Sequence, residues 1–529
     1  MVSNLLVNLK PKLHCLLPAQ LYTTLATNPD ADTLMGIFEH LRTLRSILQD
    51  YLPLQIATDP PTVGKVRYSW HKGTLLFTDL AGFTPLMEAN MNRQQEGAEM
   101  LLGILQSYFE AMIEIVSKSG GDLLEFTGDA VLVEFRRDRA HTDLYRAIRA
   151  GLRMQRAMTE FENIDTPNGT LSLKMRVGIH PGTFLAADIG TPERMMRVLL
   201  GKDVQLAKKT EGAGQVRQVC LSAAASIRAR SQFHLKTGKS PHHFVIDDLS
   251  DKQLGEYDLA LKRRRRGRAL LFDRQIAGIT QEIENLRGQV ETLASYLPKP
   301  ILKLLVENTE NRQIPPEFLN STIMFVNLLG LSDAVDRLQP SEEEDFVKGC
   351  SHLFSQINAI VTAEGGIMRN PTYHLDSSDI VIYFGILNDR PDDAIGAIRA
   401  AYKIRKLIVN FPSFLVNKQL SFIACQIGCT RGQVFAAEIG ASRGRREFNL
   451  LSDTVNTAAR LMSYAAKNQI LFNESVNLAL SDRNSLCGTP FQSQFLGNVS
   501  LKGKAKKTRI YTILEDEVCP LELRSPSNK

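Results

Sequence analysis

Phe77-Thr78-Asp79-Leu80-Ala81-Gly82-Phe83-Thr84 returns roughly 250 residues later as Phe325-Val326-Asn327-Leu328-Leu329-Gly330-Leu331-Ser332, the same apolar frame with its carboxylate replaced by an amide. The correspondence extends outward on both sides. Gly120-Gly121 recurs as Gly365-Gly366, the run Val177 to Gly190 (VGIHPGTFLAADIG) as Ile427 to Gly440 (IGCTRGQVFAAEIG), Leu254-Gly255 as Leu496-Gly497, and Leu261-Lys262 as Leu501-Lys502. Such a nearly constant spacing identifies an internal duplication of a domain about 200 residues long. The first copy offers a carboxylate where a cation could sit and the second does not, so any shared chemistry must be asymmetric. Unequal copies of one fold predict a composite site.

The duplication divides the 529 residues into a helical N-terminal segment (1–65), a first domain (66–275), a helical linker (276–315), a second domain (316–516) and a tail (517–529). A helical stretch precedes each domain and ends in the same tripeptide, Tyr51-Leu52-Pro53 and Tyr296-Leu297-Pro298. In the linker Ile276, Ile279, Ile283, Leu286, Val290, Leu293 and Leu297 follow heptad steps, and in the first stretch Leu34, Ile37, Leu41, Leu44, Leu48 and Tyr51 do so. These stripes bury against each other or against a second chain, and the intramolecular pairing is the preferred reading. Within the first copy the pattern predicts a strand (73–79), a long helix (94–117), a strand hairpin (122–135), a helix (144–161), a strand (172–179) and a further strand with a helix after Gly201. The second copy repeats this order, with helices over 342–363 and 394–409. Strands separated by long amphipathic helices predict an α+β sandwich with helices packed on one sheet.

Composition excludes several classes. With 43% apolar and 23% charged residues the chain reads as globular, and 63 Lys plus Arg against 57 Asp plus Glu give a mild basic excess. That excess suits an anionic small molecule and is too weak to imply nucleic acid. The basic run from Lys262 to Arg268 aligns with Lys502 to Lys507, between two predicted strands, and so reads as a solvated hairpin tip. Seven cysteines without a paired or metal-finger spacing suit a reducing compartment. No apolar run approaches membrane length and the N-terminus lacks a signal-peptide pattern, so the expected location is cytoplasmic.

Asp79 ends an apolar strand, and the turn at Gly82 presents backbone amides at Phe83 and Thr84 to a phosphate. Asp129 stands at the tip of the predicted hairpin. If the two strands are neighbours, both carboxylates converge at one sheet edge, a donor set suited to magnesium with substrate oxygens. FTDLAGFT from Phe77, GGDLLEFTGD from Gly120, VGIHPG from Val177 and LLSDTVNTAAR from Leu450 together resemble the class III nucleotide cyclases, the adenylyl and guanylyl cyclases. The resemblance covers both copies, and the tandem, unequal layout is most similar to soluble, bicarbonate-responsive adenylyl cyclases.

The resemblance implies two ferredoxin-like βαββαβ domains of the α+β class, forming an intramolecular pseudo-heterodimer with preceding helices. It also implies two Mg²⁺ or Mn²⁺ ions on Asp79 and Asp129, Asn456 orienting the ribose, Arg460 stabilising the α-phosphate, and Lys502 on the terminal phosphates. Asn456 and Arg460 lie one helical turn apart and can share a face. The substrate would be a nucleoside triphosphate, ATP favoured over GTP, converted to cyclic nucleotide and pyrophosphate. The first copy carries Gln205 and Lys209 where the second carries Asn456 and Arg460, while the second carries Asn327 for Asp79 and Ser378 or Asp379 near Asp129. One cleft is therefore expected to be complete, and the other to be silent and open to a small regulator, with further oligomerisation possible. The base-selecting positions fall at Asn370 and Asn449, two amides that match neither purine pattern, and a further phosphate-binding arginine is replaced by Thr183. Glu125 stands where a lysine is expected, which argues against bicarbonate in the silent cleft. The alternatives are a regulatory module that binds nucleotide without turnover and an interaction protein built on the heptad helices.

Overall fold

A computed structural model describes residues 9–91, 93–166, 169–255, 275–374, 377–386, 392–442, 444–487, 491–501 and 507–514; of 372–374, 377–378 and 482–487 it describes the backbone alone. Lys502 and the basic run at 262–268 lie outside the described residues.

Asp30 caps the helix α1 (Ala31–Asp50) by accepting from the Thr33 amide at 2.8 Å. The first domain then runs β1 (Arg67–Ala81), α2 (Gln94–Lys118), β2 (Asp122–Thr127), β3 (Ala130–Arg136), the helix Asp143–Ala157, β4 (Lys174–Thr191), β5 (Arg194–Leu200) and α3 (Lys202–Gly212). Its sheet is ordered β2-β3-β1-β4, continued by short strands, with β5 paired on β4. The linker helix α4 (Ile276–Ala294) leads to the second domain. There β6 (Glu317–Leu329), α5 (Glu343–Ala363), β7 (Thr372–His374), β8 (Ser377–Phe384), the helix Asp393–Val409, β9 (Ala424–Gly440), β10 (Arg446–Leu451) and α6 (Asp453–Tyr464) repeat the plan. The βαββαβ order expected in each copy is present.

The central strands are longer than the sequence pattern predicts. β4 continues through Pro181-Gly182 to Thr191 because β1 supplies partners back to Arg67, opposite Asp188, and β5 supplies them from there on. The extra length has a packing consequence. Leu185, Ala187, Ile189, Val198 and Leu200 lie in the second domain's core, beside Met324, Phe354 and Ile382. Reciprocally, Phe435, Ala437, Ile439 and Leu451 from β9 and β10 lie in the first domain's core, beside Leu76, Phe109 and Phe126. Each domain completes its apolar core with the other's strands.

α1 and α4 bury their heptad stripes in one cluster, Leu34, Ile37, Leu41, Leu44 and Leu48 with Ile279, Ile283, Leu286, Val290 and Leu293. The stripes therefore pair within the chain, although Ile276 at the start of the repeat remains exposed. One helix departs from the expectation about membrane length. α2 is long and apolar enough to cross a membrane, but half of its most apolar window is buried as a core helix.

Candidate active site

β1 carries Asp79 and the β2–β3 hairpin carries Asp129. The register joins them: Phe77 pairs with Leu132, three residues beyond Asp129, and the Val131 amide donates to Thr78 Oγ1 at 3.2 Å. Asp79 pairs across the sheet with Arg176, and the two side chains form an ion pair. Behind it, Arg176 Nε lies 3.2 Å from Glu211 Oε1, and Lys208 Nζ lies 2.9 Å from Glu211 and 4.7 Å from the centre of the Phe77 ring. Asp129 is pushed up to about 7 by burial and then by the neighbouring charge of Asp79, with its own backbone amide and Lys208 opposing. Two crowded carboxylates, one reluctant to ionise, are a donor set that a divalent cation would relieve. Among the described residues no three His, Cys, Asp or Glu side chains converge as a closed metal site, so a cation here would keep most of its coordination for substrate oxygens and water.

The facing wall comes from the second domain. Ser452 caps α6 by accepting from the Val455 amide at 3.1 Å. Gly428 lets that helix lie directly on β9, because a Cβ there would sit 2.3 Å from the Met462 nitrogen and 2.4 Å from the Ala458 oxygen. Asn456 is thereby presented, exposed, to a cleft between the two domains. Phe83, Gly128 and Asp129 line it from the first domain, and Asn449, Ser452 and Asn456 from the second. Asp129, Phe83, Asn449 and Asn456 are thus brought together, with Asp79 close enough to shift Asp129. Arg460 is not on the lining; its Nη1 lies 3.7 Å from Asp453. Thr84 is likewise off the lining.

Asn370 is diverted. Its Oδ1 accepts from Arg194 Nη2 at 2.9 Å, and it lines a neighbouring interdomain cavity rather than the cleft. Arg369 and Tyr383, which the sequence reading passed over, stand on the cleft wall instead. The diversion follows from a matched pair of buried arginines. Arg194 donates to the carbonyl oxygens of Tyr296 and Met368, and Arg445 donates to those of Tyr51 and Leu123. Each arginine reaches the opposite Tyr-Leu-Pro segment and the opposite hairpin. The same repeat that aligns Asp79 with Asn327 aligns Arg194 with Arg445, so a longer alignment would have exposed them. Tyr51 also donates to Glu438 of the second domain, and Asp188 of the first raises the Tyr296 hydroxyl after burial does.

The pseudo-equivalent cleft is built differently. Phe325 pairs with Val381, three residues beyond Ser378, so Ser378 rather than Asp379 takes the place of Asp129. The partner of Asn327 in the register is Gln426, and Asn327 Nδ2 donates to Gln426 Oε1 at 2.7 Å. An amide pair thus replaces the Asp79–Arg176 ion pair. Gln205, the counterpart of Asn456, donates across the domain boundary to Ser332 Oγ at 2.7 Å, and both side chains are buried. This second cleft is bridged at the point where the other stands open.

Comparison with known proteins agrees with this architecture. The sequence model of the adenylate and guanylate cyclase catalytic domain matches residues 67–242 and 317–515. Adenylate cyclase type 10 of Mus musculus is 24% identical over 418 residues, covering 74% of this chain and 24% of the relative. Its Homo sapiens counterpart is 23% identical over 403 residues, with the same shares. The chain therefore spans about a quarter of the length of these curated relatives. Among solved structures, a class III adenylyl cyclase-like ATP-binding protein from Pseudomonas aeruginosa aligns with 84% of this chain and 92% of its own, at 13% identity and a TM-score of 0.51, a likeness of fold.

Proposed function

The chain belongs to the adenylate and guanylate cyclase catalytic-domain family, and on that premise we propose that it is a nucleotide cyclase with one composite site. ATP, with GTP less favoured, would be converted to the 3′,5′-cyclic nucleotide and pyrophosphate between the two domains. The observation that carries this reading is the reciprocal asymmetry of the clefts. Asp129, backed by Asp79, faces Asn456 across open space, whereas Asn327 and Gln205 are tied into hydrogen bonds.

In this reading Asp79 and Asp129 hold two Mg²⁺ or Mn²⁺ ions, which when bound neutralise the triphosphate and favour ionisation of the ribose 3′-hydroxyl. Arg176, shared between Asp79 and Glu211, would stay paired with Glu211 when the Asp79 carboxylate turns to a cation. The amides of Phe83 and Thr84 and the Lys502 ammonium bind phosphate oxygens. Asn456 fixes the ribose so that its 3′-oxygen lies in line with the α-phosphorus. Arg460, released from Asp453 onto the α-phosphate, stabilises charge there as the bond to pyrophosphate breaks, typically worth about 3 kcal/mol.

The test is purified protein with Mg²⁺ or Mn²⁺ and ATP or GTP, scored for cyclic nucleotide beside Asp79→Ala and Arg460→Ala. Activity that both variants abolish while folding persists is expected; no product from either nucleotide would refute the reading. A second reading, a module that binds nucleotide without turnover, draws support from the position of Arg460 off the cleft lining. Binding without product would favour it.

A further inference from the structure

Arg176 stands between two carboxylates and is hydrogen-bonded to one of them. Its Nη2 donates to Asp79 Oδ2, while its Nε lies 3.2 Å from Glu211 Oε1 on α3. The second contact is close but misaligned. Among the described residues neither Arg176 Nε nor Glu211 Oε1 has a hydrogen-bond partner, and both atoms are buried. A buried donor and a buried acceptor this near each other are a charge-assisted bond left unmade. The other oxygen of Glu211 is held by Lys208 Nζ at 2.9 Å, so the carboxylate is already in place. A small turn of the guanidinium away from Asp79 completes the bond.

The second copy shows that the fold does not require this set. Gly178 seats α3 on β4 as Gly428 seats α6 on β9: a Cβ would lie 2.2 Å from the Glu211 nitrogen in the first and 2.3 Å from the Met462 nitrogen in the second. Met462 is thus the counterpart of Glu211, and Ala459, three residues earlier, that of Lys208. With Asn327 for Asp79 and Gln426 for Arg176, all four ionic members are replaced together by neutral ones, and Met462 is buried in an apolar cluster. Buried ions are often no more stabilising than apolar residues of similar volume. The first copy keeps them only behind Asp79, beside the open cleft.

We infer that Arg176 and Glu211 are positioning residues that set the cation affinity of Asp79, Arg176 guarding the carboxylate and Glu211 taking the guanidinium over when Asp79 turns to a divalent cation. The inference rests on the reading of Asp79 and Asp129 as cation ligands. Before that turn Arg176 neutralises Asp79 as an internal counter-ion. After it, the bond formed to Glu211 offsets the bond broken at Asp79, and the exchange costs little. Without Glu211 the guanidinium has no second anion and competes with the cation.

The α,β-methylene analogue of ATP cannot be cyclised. Its calorimetric titration into the full chain, once with Mn²⁺ and once with a chelator instead, reads metal engagement without turnover. Mn²⁺ should tighten binding in the parent, and Glu211→Gln should cut that gain by up to about tenfold while the affinity in chelator is unchanged. Glu211→Asp keeps a charge for Lys208 but is one methylene too short to meet Arg176; it should show the same loss and serves where the glutamine variant does not fold. In an Arg176→Gln background neither substitution should have a further effect. A gain unmoved by both substitutions overturns the inference, and so does a loss of equal size in the Arg176→Gln background, which would mean that Glu211 acts by its charge alone. Binding that ignores Mn²⁺ in the parent, or no binding, overturns it together with the proposed metal site. The expected losses without any product from ATP would support it and refute turnover alone.

Discussion

Replacing Glu125 by glutamine should remove a pH dependence of stability that the interdomain cavity imposes. Glu125 lies on β2, buried, and lines the cavity also formed by Tyr296, Arg369 and Glu447. Among the described residues its Oε1 has no hydrogen-bond partner. Burial holds its carboxyl well above the ordinary value of 4.5, and the nearby Glu447 adds to this; Arg369 and Arg445 oppose and do not prevail. In the unfolded chain the same group ionises near its ordinary value. Between the two values the folded state binds one more proton than the unfolded state, so stability is lost as the pH rises, by up to about 1.4 kcal/mol per pH unit. The loss begins above about pH 4.5 and ends once the folded value is passed.

Glutamine has the shape of the protonated acid and does not titrate. The free-energy difference between Glu125→Gln and the parent should therefore grow in favour of the variant as the pH is raised through the weakly acid range, at about that slope. Glu438 is also pushed up by burial, but it is present in both proteins and does not act on Glu125, so it cancels in the difference; Asp379, whose charge adds to the upward push on Glu125, is itself pushed up by burial. Urea denaturation of both proteins at about pH 5, 6, 7 and 8, at constant ionic strength, measures it. A difference that does not vary with pH, or that shrinks as the pH rises, would show that Glu125 is ionised in the fold and would refute the reasoning.

Three further outcomes follow from packing. Gly428→Ala places a Cβ against backbone atoms of α6; the helix must shift, which should cost about 1–3 kcal/mol in denaturation and lower the cyclase rate by more than that stability loss explains. Leu286→Ala empties part of the shared α1–α4 cluster and should cost about 2–5 kcal/mol, with a lowered melting temperature and an unchanged mass in light scattering; dissociation of an oligomer instead would mean that the stripe pairs between chains. Gln205→Ala removes the bridge across the closed cleft and should cost about 1 kcal/mol with the cyclase rate kept, whereas Asn456→Ala at the equivalent place should abolish it.

The fold was largely legible because its evidence is repeated: each motif occurs twice, and periodicity in one copy checks the other. The pairing of the heptad stripes within the chain was legible for the same reason. Strand ends were not, since Pro181-Gly182 reads locally as a stop and only the length of β1 keeps β4 going. The choice between Ser378 and Asp379 needed the register of β6 with β8, which sequence counting across a hairpin insertion cannot supply. Asn370 was misplaced for a different cause. Counting put it at the base position, but the buried guanidinium of Arg194 needs acceptors and draws the amide to itself. That demand comes from the other domain, roughly 175 residues away in sequence, and no local pattern announces it.

The paired replacements explain how the two clefts could diverge without loss of the fold. Had Asp79 alone become an amide in the second copy, the counterpart of Arg176 would be left as a charge without its partner at the end of two central strands, a costly arrangement. The second copy instead carries Asn327 with Gln426, so both charges are absent together and one neutral hydrogen bond stands in their place. Gln205 with Ser332 then bridges that cleft across the domain boundary. The open cleft is kept by the opposite means: β4 and β5 complete the core of the second domain, and β9 and β10 complete that of the first. Asp129 and Asn456 therefore face each other as a result of folding rather than of a docking equilibrium between separate units. The geometry of the site should not depend on protein concentration, and neither half should form a stable core by itself.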